Sequence, residues 1–189
     1  MVSNFMFIDL TLTLSREVTE RAFNNVSKAF SGHLGTHFDV MDKEFPLDYC
    51  VLEGAFFDVR DRVEIGVEDI DVHNIKEGMF IGFYTGHIEK YGYGTTEYSH
   101  DHPYLSRELI DYLLSKKVRI IGVDLPGVRR GKEHSPCDQY CADRGAFIIE
   151  NMCNMEKVCG KKVTVYTFPL KFEGSSGLPC RVVAGISEQ

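Results

Sequence analysis

Hydrophobic positions along the chain fall into short apolar or alternating runs, most of them bounded by glycine, proline or charge. "MFIDLTLTL" (6–14) alternates and carries β-branched residues, which predicts a strand. "NVSKAFSG" (25–32) and "CVLEGAFFDV" (50–59) predict two more, and "MFIGFYTG" (79–86) reads as a buried strand ending in a turn. "LSRELIDYLLSKK" (105–117) has the strongest helical pattern. Ser106 can cap it, and Leu109, Ile110, Leu113 and Leu114 form one apolar stripe. Directly after it, "VRIIGVDLPG" (118–127) predicts a buried strand opening into a loop. A second helix is expected around 138–144, leading to "AFIIENM" (146–152), with "VTVYTFPLKF" (163–172) and "CRVVAGI" (180–186) as late strands. Strands outnumber helices, and a helix joins two apolar strands. The expectation is a mixed α/β fold with helices packed outside a sheet or barrel.

The 189 residues suit one domain with its own core, and no repeat or linker divides 1–189. A net charge of −7 argues against a nucleic-acid partner, which needs a dense basic patch, and "VRRGK" (128–132) reads as a solvated loop. The first residues lack the charged start and long apolar run of a signal peptide, and no window offers the ~18 apolar residues of a membrane span. A cytoplasmic protein without a membrane partner is expected. Six cysteines at irregular spacing point to free thiols. His134, Cys137 and Cys141 lack the paired C-x2-C knuckles of a structural zinc site, so a helical turn with two half-buried thiols is the better reading.

The chemistry concentrates in "GHLGTHFDVMDKEF" (32–45). In an extended segment, residues two apart point the same way, so His37 and Asp39 would face one point. Gly35 allows a tight bend through which His33 reaches the same point. Two neutral imidazoles and a carboxylate suit Zn(II), Mn(II) or Fe(II) and leave positions open, the arrangement that activates water near neutral pH. Thr36 can orient a ligand through its hydroxyl. The same spacing also fits a polar surface loop whose histidines merely hydrogen-bond, and spacing alone does not separate the two.

"HLGTHFD" resembles the H-x-G-T-H-x-D signature of the putative cyclase family, which includes bacterial kynurenine formamidase and isatin hydrolase. "FIDLTLTLS", "FYTGH", "HPYLSRELIDYLLSKKVRIIGVDLPGV", "GAFIIENMCNMEKV" and "FPLKFEGSSGLPCRVVAG" are similar to successive family segments, in order, over nearly the whole chain. The resemblance implies a compact cyclase-like β/β/α fold, assembled as a homodimer or homotetramer. It implies a divalent metal, zinc or manganese, on His33, His37 and Asp39, with Glu150 contributing from the far half. It also implies hydrolysis of a small-molecule amide, an N-formyl arylamine such as N-formylkynurenine or a lactam.

Two positions depart from the family. Its motif runs on as D-x-P-x-H, whereas here Met41 and Lys43 replace the proline and histidine. Its histidine twelve residues before the glutamate is Asp138, with His134 one turn earlier. A lysine there should oppose a second metal and pair with a carboxylate such as Asp138. A mononuclear centre is therefore expected. Lys43, Asp138 and His87 are the candidate proton donors, although Lys43 also fits a surface lysine, Asp138 a metal ligand or a helix cap, and His87 a substrate contact or metal ligand. Thr85 of the threonine-glycine loop and Tyr93 in "KYGYGTTEY" are the expected substrate contacts, that stretch also fitting a mobile surface loop. His102 is expected to be structural. The rival function is a family member that binds a metal or small ligand without turnover.

Overall fold

The computed structural model describes residues 5–15 and 31–187. The strand expected at 25–32 lies almost wholly outside them. Ten strands and four α-helices are described: β1 (Phe5–Asp9), β2 (His37–Asp39), β3 (Val51–Asp58), β4 (Glu64–Ile65), β5 (Phe80–Tyr84), α1 (His87–Tyr91), α2 (Thr96–Ser99), β6 (Tyr104–Leu105), α3 (Arg107–Ser115), β7 (Ile120–Val123), α4 (His134–Ala142), β8 (Phe147–Glu150), β9 (Val163–Pro169) and β10 (Gly177–Ser187).

Eight strands form one sheet in the order β1-β10-β2-β8-β7-β5-β3-β9, and a further β10–β9 pairing closes seven of them into a barrel. Closure depends on the length of β10. Its first residues, Gly177 to Pro179, pair with β2, and its stretch from Cys180 to Ile186 pairs with β9. The pairings β3–β5, β5–β7 and β7–β8 are parallel, as the expected crossover helix α3 requires. The remaining pairings in this sheet are antiparallel.

The period of two along each strand divides the core. Phe38, Phe56, Phe80, Ile120 and Ile149 fill the barrel, while Ile81, Phe83, Ile121, Val123 and Ile148 face outward. The outward set packs against Leu109, Ile110 and Leu113 of α3 and Cys137 and Cys141 of α4. Gly82 and Gly122, register partners on β5 and β7, make room for this filling. A Cβ on Gly82 would lie 2.3 Å from Phe56, and one on Gly122 2.7 Å from Phe80. Helix α3 begins as expected, with the Ser106 hydroxyl accepting from Leu109 N at 3.1 Å.

Two elements differ from expectation. Helix α4 starts at His134, a turn earlier than the composition indicates, because Pro136 lies in the first turn, where proline's missing N–H has no helical partner to lose. The segment after Gly86 is not a plain loop: it forms α1 and then α2, capped by the Thr95 hydroxyl. All six cysteines are free, and Cys137 and Cys141 are fully buried in the outer core. No helix among the described residues is long and apolar enough to cross a membrane.

Candidate metal centre

Strands β2 and β8 are antiparallel neighbours with His37 opposite Glu150 and Asp39 opposite Ile148. Phe38 and Ile149 point into the barrel, so His37, Asp39 and Glu150 all emerge on its outer face, where α4 lies across them. Starting α4 at His134 places His134 and Asp138 one turn apart on the side turned to the strands. His33 arrives from the preceding loop. Gly32 (φ +81°) folds that loop against β10 so closely that a Cβ on Gly32 would lie 1.9 Å from the Gly177 carbonyl oxygen.

The resulting ligand atoms form a tight group. His33 Nδ1 is 3.1 Å from His37 Nε2 and 2.8 Å from Asp39 Oδ1, and the last two are 3.6 Å apart. Ligand atoms on a tetrahedral ion with bonds of about 2.0–2.1 Å sit about 3.3 Å from one another. The three atoms therefore fit one face of such a site. Glu150 Oε2 lies 3.5 Å from His37 Nε2, and its Oε1 accepts from His134 Nε2 at 2.8 Å. His134 Nε2 is also 3.3 Å from Asp138 Oδ2. Asp39, His134 and Asp138 make a second compact group that shares Asp39 with the first.

Burial supplies the second argument for a cation. Asp39, Asp138 and Glu150 are nearly inaccessible, and buried carboxylates need compensation. Asp39 Oδ2 and Asp138 Oδ1 have no hydrogen-bond partner among the described residues. His33 and His134 are more exposed, and their imidazoles form the mouth of the site over this acidic floor. Burial would lower the His37 pKa, but the hydrogen bond and charge of Asp39, with the charge of Glu150, push it up to about 9. Asp39 is correspondingly held well below the usual carboxylate range by the two imidazoles, despite its burial. Asp138 is pushed up to about 9, first by burial and then by the charge of Asp39, with His134 opposing. The donor set fits a divalent ion.

Secondary contacts orient the imidazoles. The Ser176 hydroxyl is 2.9 Å from His33 Nε2, which leaves Nδ1 turned to the centre. His37 Nδ1 donates to the Gly35 carbonyl at 2.8 Å, which leaves Nε2 turned there. The Thr36 hydroxyl donates to the Asn151 carbonyl and accepts from Leu12 N. It braces the motif rather than reaching an ion.

Lys43 does not join these groups. β2 ends at Asp39, and Met41 adopts φ +57°, so the alternation that would carry a side chain from Asp39 toward the site stops there. The Lys43 ammonium pairs instead with Asp143 at 2.7 Å and Asp42 at 2.9 Å on the surface, not with Asp138. His87 is also apart from the ligand group: its Nε2 donates to the Tyr98 carbonyl at 3.0 Å, and burial lowers its pKa. The Thr85 hydroxyl donates to Asp124 Oδ1 at 2.7 Å, so it anchors its own loop. Asp124 is fully buried and also accepts the backbone N–H groups of Thr85, Gly86 and His87. Tyr93 does approach the site: its hydroxyl accepts from Gly35 N at 3.0 Å and has no acceptor for its own hydrogen among the described residues. His102 is buried and structural, its carbonyl held by the Arg130 guanidinium. His134 faces Glu150 while Cys137 and Cys141 face the outer core, which separates that trio.

Sequence reading did not single out Ser176, Asp124, Tyr98 or Asn151. Each is brought to the site by tertiary contacts distant in sequence, and none carries a local spacing signal.

Comparisons with known proteins agree with this architecture. A structure described as a potential metal-dependent hydrolase with cyclase activity superposes with TM-score 0.75 at 21% identity, covering 98% of this chain and 100% of that one. Isatin hydrolase A from Ralstonia solanacearum gives TM-score 0.78 at 17% identity, over 97% of this chain and 93% of that one. Isatin hydrolase A from Labrenzia aggregata, bound to benzyl benzoate, gives 0.77 at 19% identity, over 97% and 94%. These likenesses establish the shared fold. Among curated proteins, no sequence matches. The "Putative cyclase" family profile matches residues 8–130, which include His33, His37 and Asp39 and stop short of His134, Asp138 and Glu150. Over that stretch, well over half of its length, the chain belongs to the Putative cyclase family.

Proposed function

We propose that this chain is a metal-dependent hydrolase of a small amide, either an N-formyl arylamine or a lactam. The observation that carries the reading is the buried triangle of His33 Nδ1, His37 Nε2 and Asp39 Oδ1, spaced as ligands on one ion. Family membership and the hydrolase descriptions of the superposed structures support it.

One divalent ion, zinc or manganese, would be held by those three atoms, with Glu150 beside it. When bound, it supplies Lewis acidity and lowers the pKa of water toward neutrality. The protein's own groups do the rest. Burial and the charge of Asp39 push the Asp138 pKa up in the metal-free chain, which favours its protonated form. Its unpartnered Oδ1 is free to give that proton to the leaving nitrogen. His134, between Asp138 and Glu150, links the two carboxyls and can return a proton after each cycle. Tyr93, whose hydroxyl hydrogen meets no acceptor among the described residues, can donate to a substrate carbonyl or ring oxygen near the Gly35 loop. Lys43 and His87, directed elsewhere, have no part in the step.

The test is turnover by the metal-loaded chain of an N-formyl arylamine, followed as formate, and of isatin, followed as ring opening. Hydrolysis of either, abolished in His37→Ala, is the expected result. A chain that binds metal yet turns over neither substrate class would favour the rival reading, binding without catalysis.

A further inference from the structure

We infer that Asn151 and Tyr98 are positioning residues that fix which ring nitrogen of His37 is presented to the ion. The inference rests on the metal-binding reading above and adds two residues to it.

One atom in this network can only accept. The Gly35 carbonyl oxygen receives His37 Nδ1 at 2.8 Å and Asn151 Nδ2 at 2.9 Å. A carbonyl has no hydrogen to give, so both partners must be donors. His37 therefore carries its hydrogen on Nδ1, and a neutral His37 keeps its lone pair on Nε2, the atom facing His33 and Asp39. For the same reason Asn151 must turn its amide nitrogen, not its oxygen, to Gly35. That orientation aims Asn151 Oδ1 at Tyr98, whose hydroxyl lies 2.7 Å away and must donate. Each hydrogen along Tyr98, Asn151, Gly35 and His37 is thus assigned by the carbonyl alone.

Every element of this chain is fixed. Asn151 directly follows the proposed ligand Glu150 and takes φ +58°, a left-handed turn that asparagine tolerates better than most residues. The turn sends Glu150 to the metal centre and Asn151 to the Gly35 carbonyl. The Asn151 N–H donates to Leu125 O at 3.1 Å, and its carbonyl accepts the Thr36 hydroxyl at 2.7 Å. Tyr98 is 1% exposed. It sits on α2, and its carbonyl receives His87 Nε2. The Thr85–His87 loop on Asp124 is therefore linked through Tyr98 and Asn151 to the imidazole that faces the ion. A hydrogen-bond partner on the far nitrogen sets the tautomer and ring orientation of a metal-ligating histidine. Here that partner is a backbone carbonyl, and Asn151 holds it in place.

The experiment compares wild type, Tyr98→Phe and Asn151→Ala by zinc affinity, measured by competition with a chromogenic chelator, and by thermal melting without metal. Tyr98→Phe removes a single oxygen. Zinc affinity is expected to fall about tenfold or more in both variants, the range seen when such outer partners are lost. A purely structural role would lower the melting temperature and leave the affinity of the folded protein unchanged. Wild-type affinity in both folded variants would overturn the inference. Ring ¹⁵N shifts of His37 in metal-free protein, taken well above pH about 9 so that the imidazole is neutral, give a second readout. The Nδ1–H tautomer is expected in wild type and a mixture in Asn151→Ala; Nε2–H in wild type would overturn the inference. If wild type takes up no zinc, the proposed function fails, and the tautomer measurement still decides this inference.

Discussion

His37 on β2 and Glu150 on β8 are register partners, 113 residues apart in sequence, with His37 Nε2 and Glu150 Oε2 at 3.5 Å on the outer face of the barrel. Pairing of two short strands brings the two halves of the candidate centre together. Helix α4 completes it with His134 and Asp138.

The protonation of this cluster sets the pH dependence of the metal-free protein. His37 has a folded pKa of about 9 against an unfolded value near 6.5, so it binds more protons folded than unfolded across that window. Its contribution is complete below pH about 6.5 and is lost as pH rises through about 9, at most about 3 kcal/mol. Asp138, raised from 3.8 to about 9, acts in the same direction over a wider window, its contribution being lost from pH about 4 upward. The melting temperature of chelator-treated protein should fall most steeply between pH about 6.5 and 9, and saturating metal should flatten that part of the fall by displacing the His37 proton. A fall of equal steepness with and without metal would contradict the assignment.

His134 and Lys43 are expected to behave oppositely. His134→Ala leaves Glu150 Oε1 and Asp138 Oδ2 without their imidazole and should lower turnover by at least tenfold. Among the described residues Lys43 pairs with surface carboxylates alone, so Lys43→Ala should leave turnover within about twofold and the denaturation midpoint close to that of the wild type. Steady-state kinetics with a denaturant melt on each variant checks both. A collapse of activity in Lys43→Ala would place the lysine back in the site.

Gly177 tests the loop that carries His33. A Cβ there would lie 2.8 Å from the Gly32 carbonyl carbon and 3.0 Å from His33 Cδ2. Backbone cannot swing aside as a side chain can, so Gly177→Ala should displace His33. Metal affinity is expected to drop while the far-ultraviolet spectrum stays that of the wild type. Unchanged affinity would mean that the loop adjusts without moving the ligand.

Much of the barrel was legible because its signals are local. α3 announces itself through Ser106 and the Leu109–Ile110–Leu113 stripe, and the apolar runs at β5, β7 and β8 are short enough to be strands. The His33, His37 and Asp39 grouping followed from the alternation of β2 and the bend at Gly35. Lys43 was a candidate because it occupies the place of the family's second histidine, and after the left-handed Met41 it pairs with surface carboxylates instead. The start of α4 was obscured by Pro136, and with it the presentation of His134 and Asp138 as a pair. Asp124, Tyr98 and Asn151 act through hydrogen bonds spanning 37 to 116 residues, and no spacing rule reaches that far.

The central claim is that His33, His37 and Asp39 hold a divalent metal. It is tested most directly by elemental analysis of protein purified without chelator or affinity metal, beside His37→Ala treated identically. About one zinc or manganese per chain in the wild type, absent from the variant, is the predicted result. No bound metal in the wild type, and none taken up on addition, would contradict it.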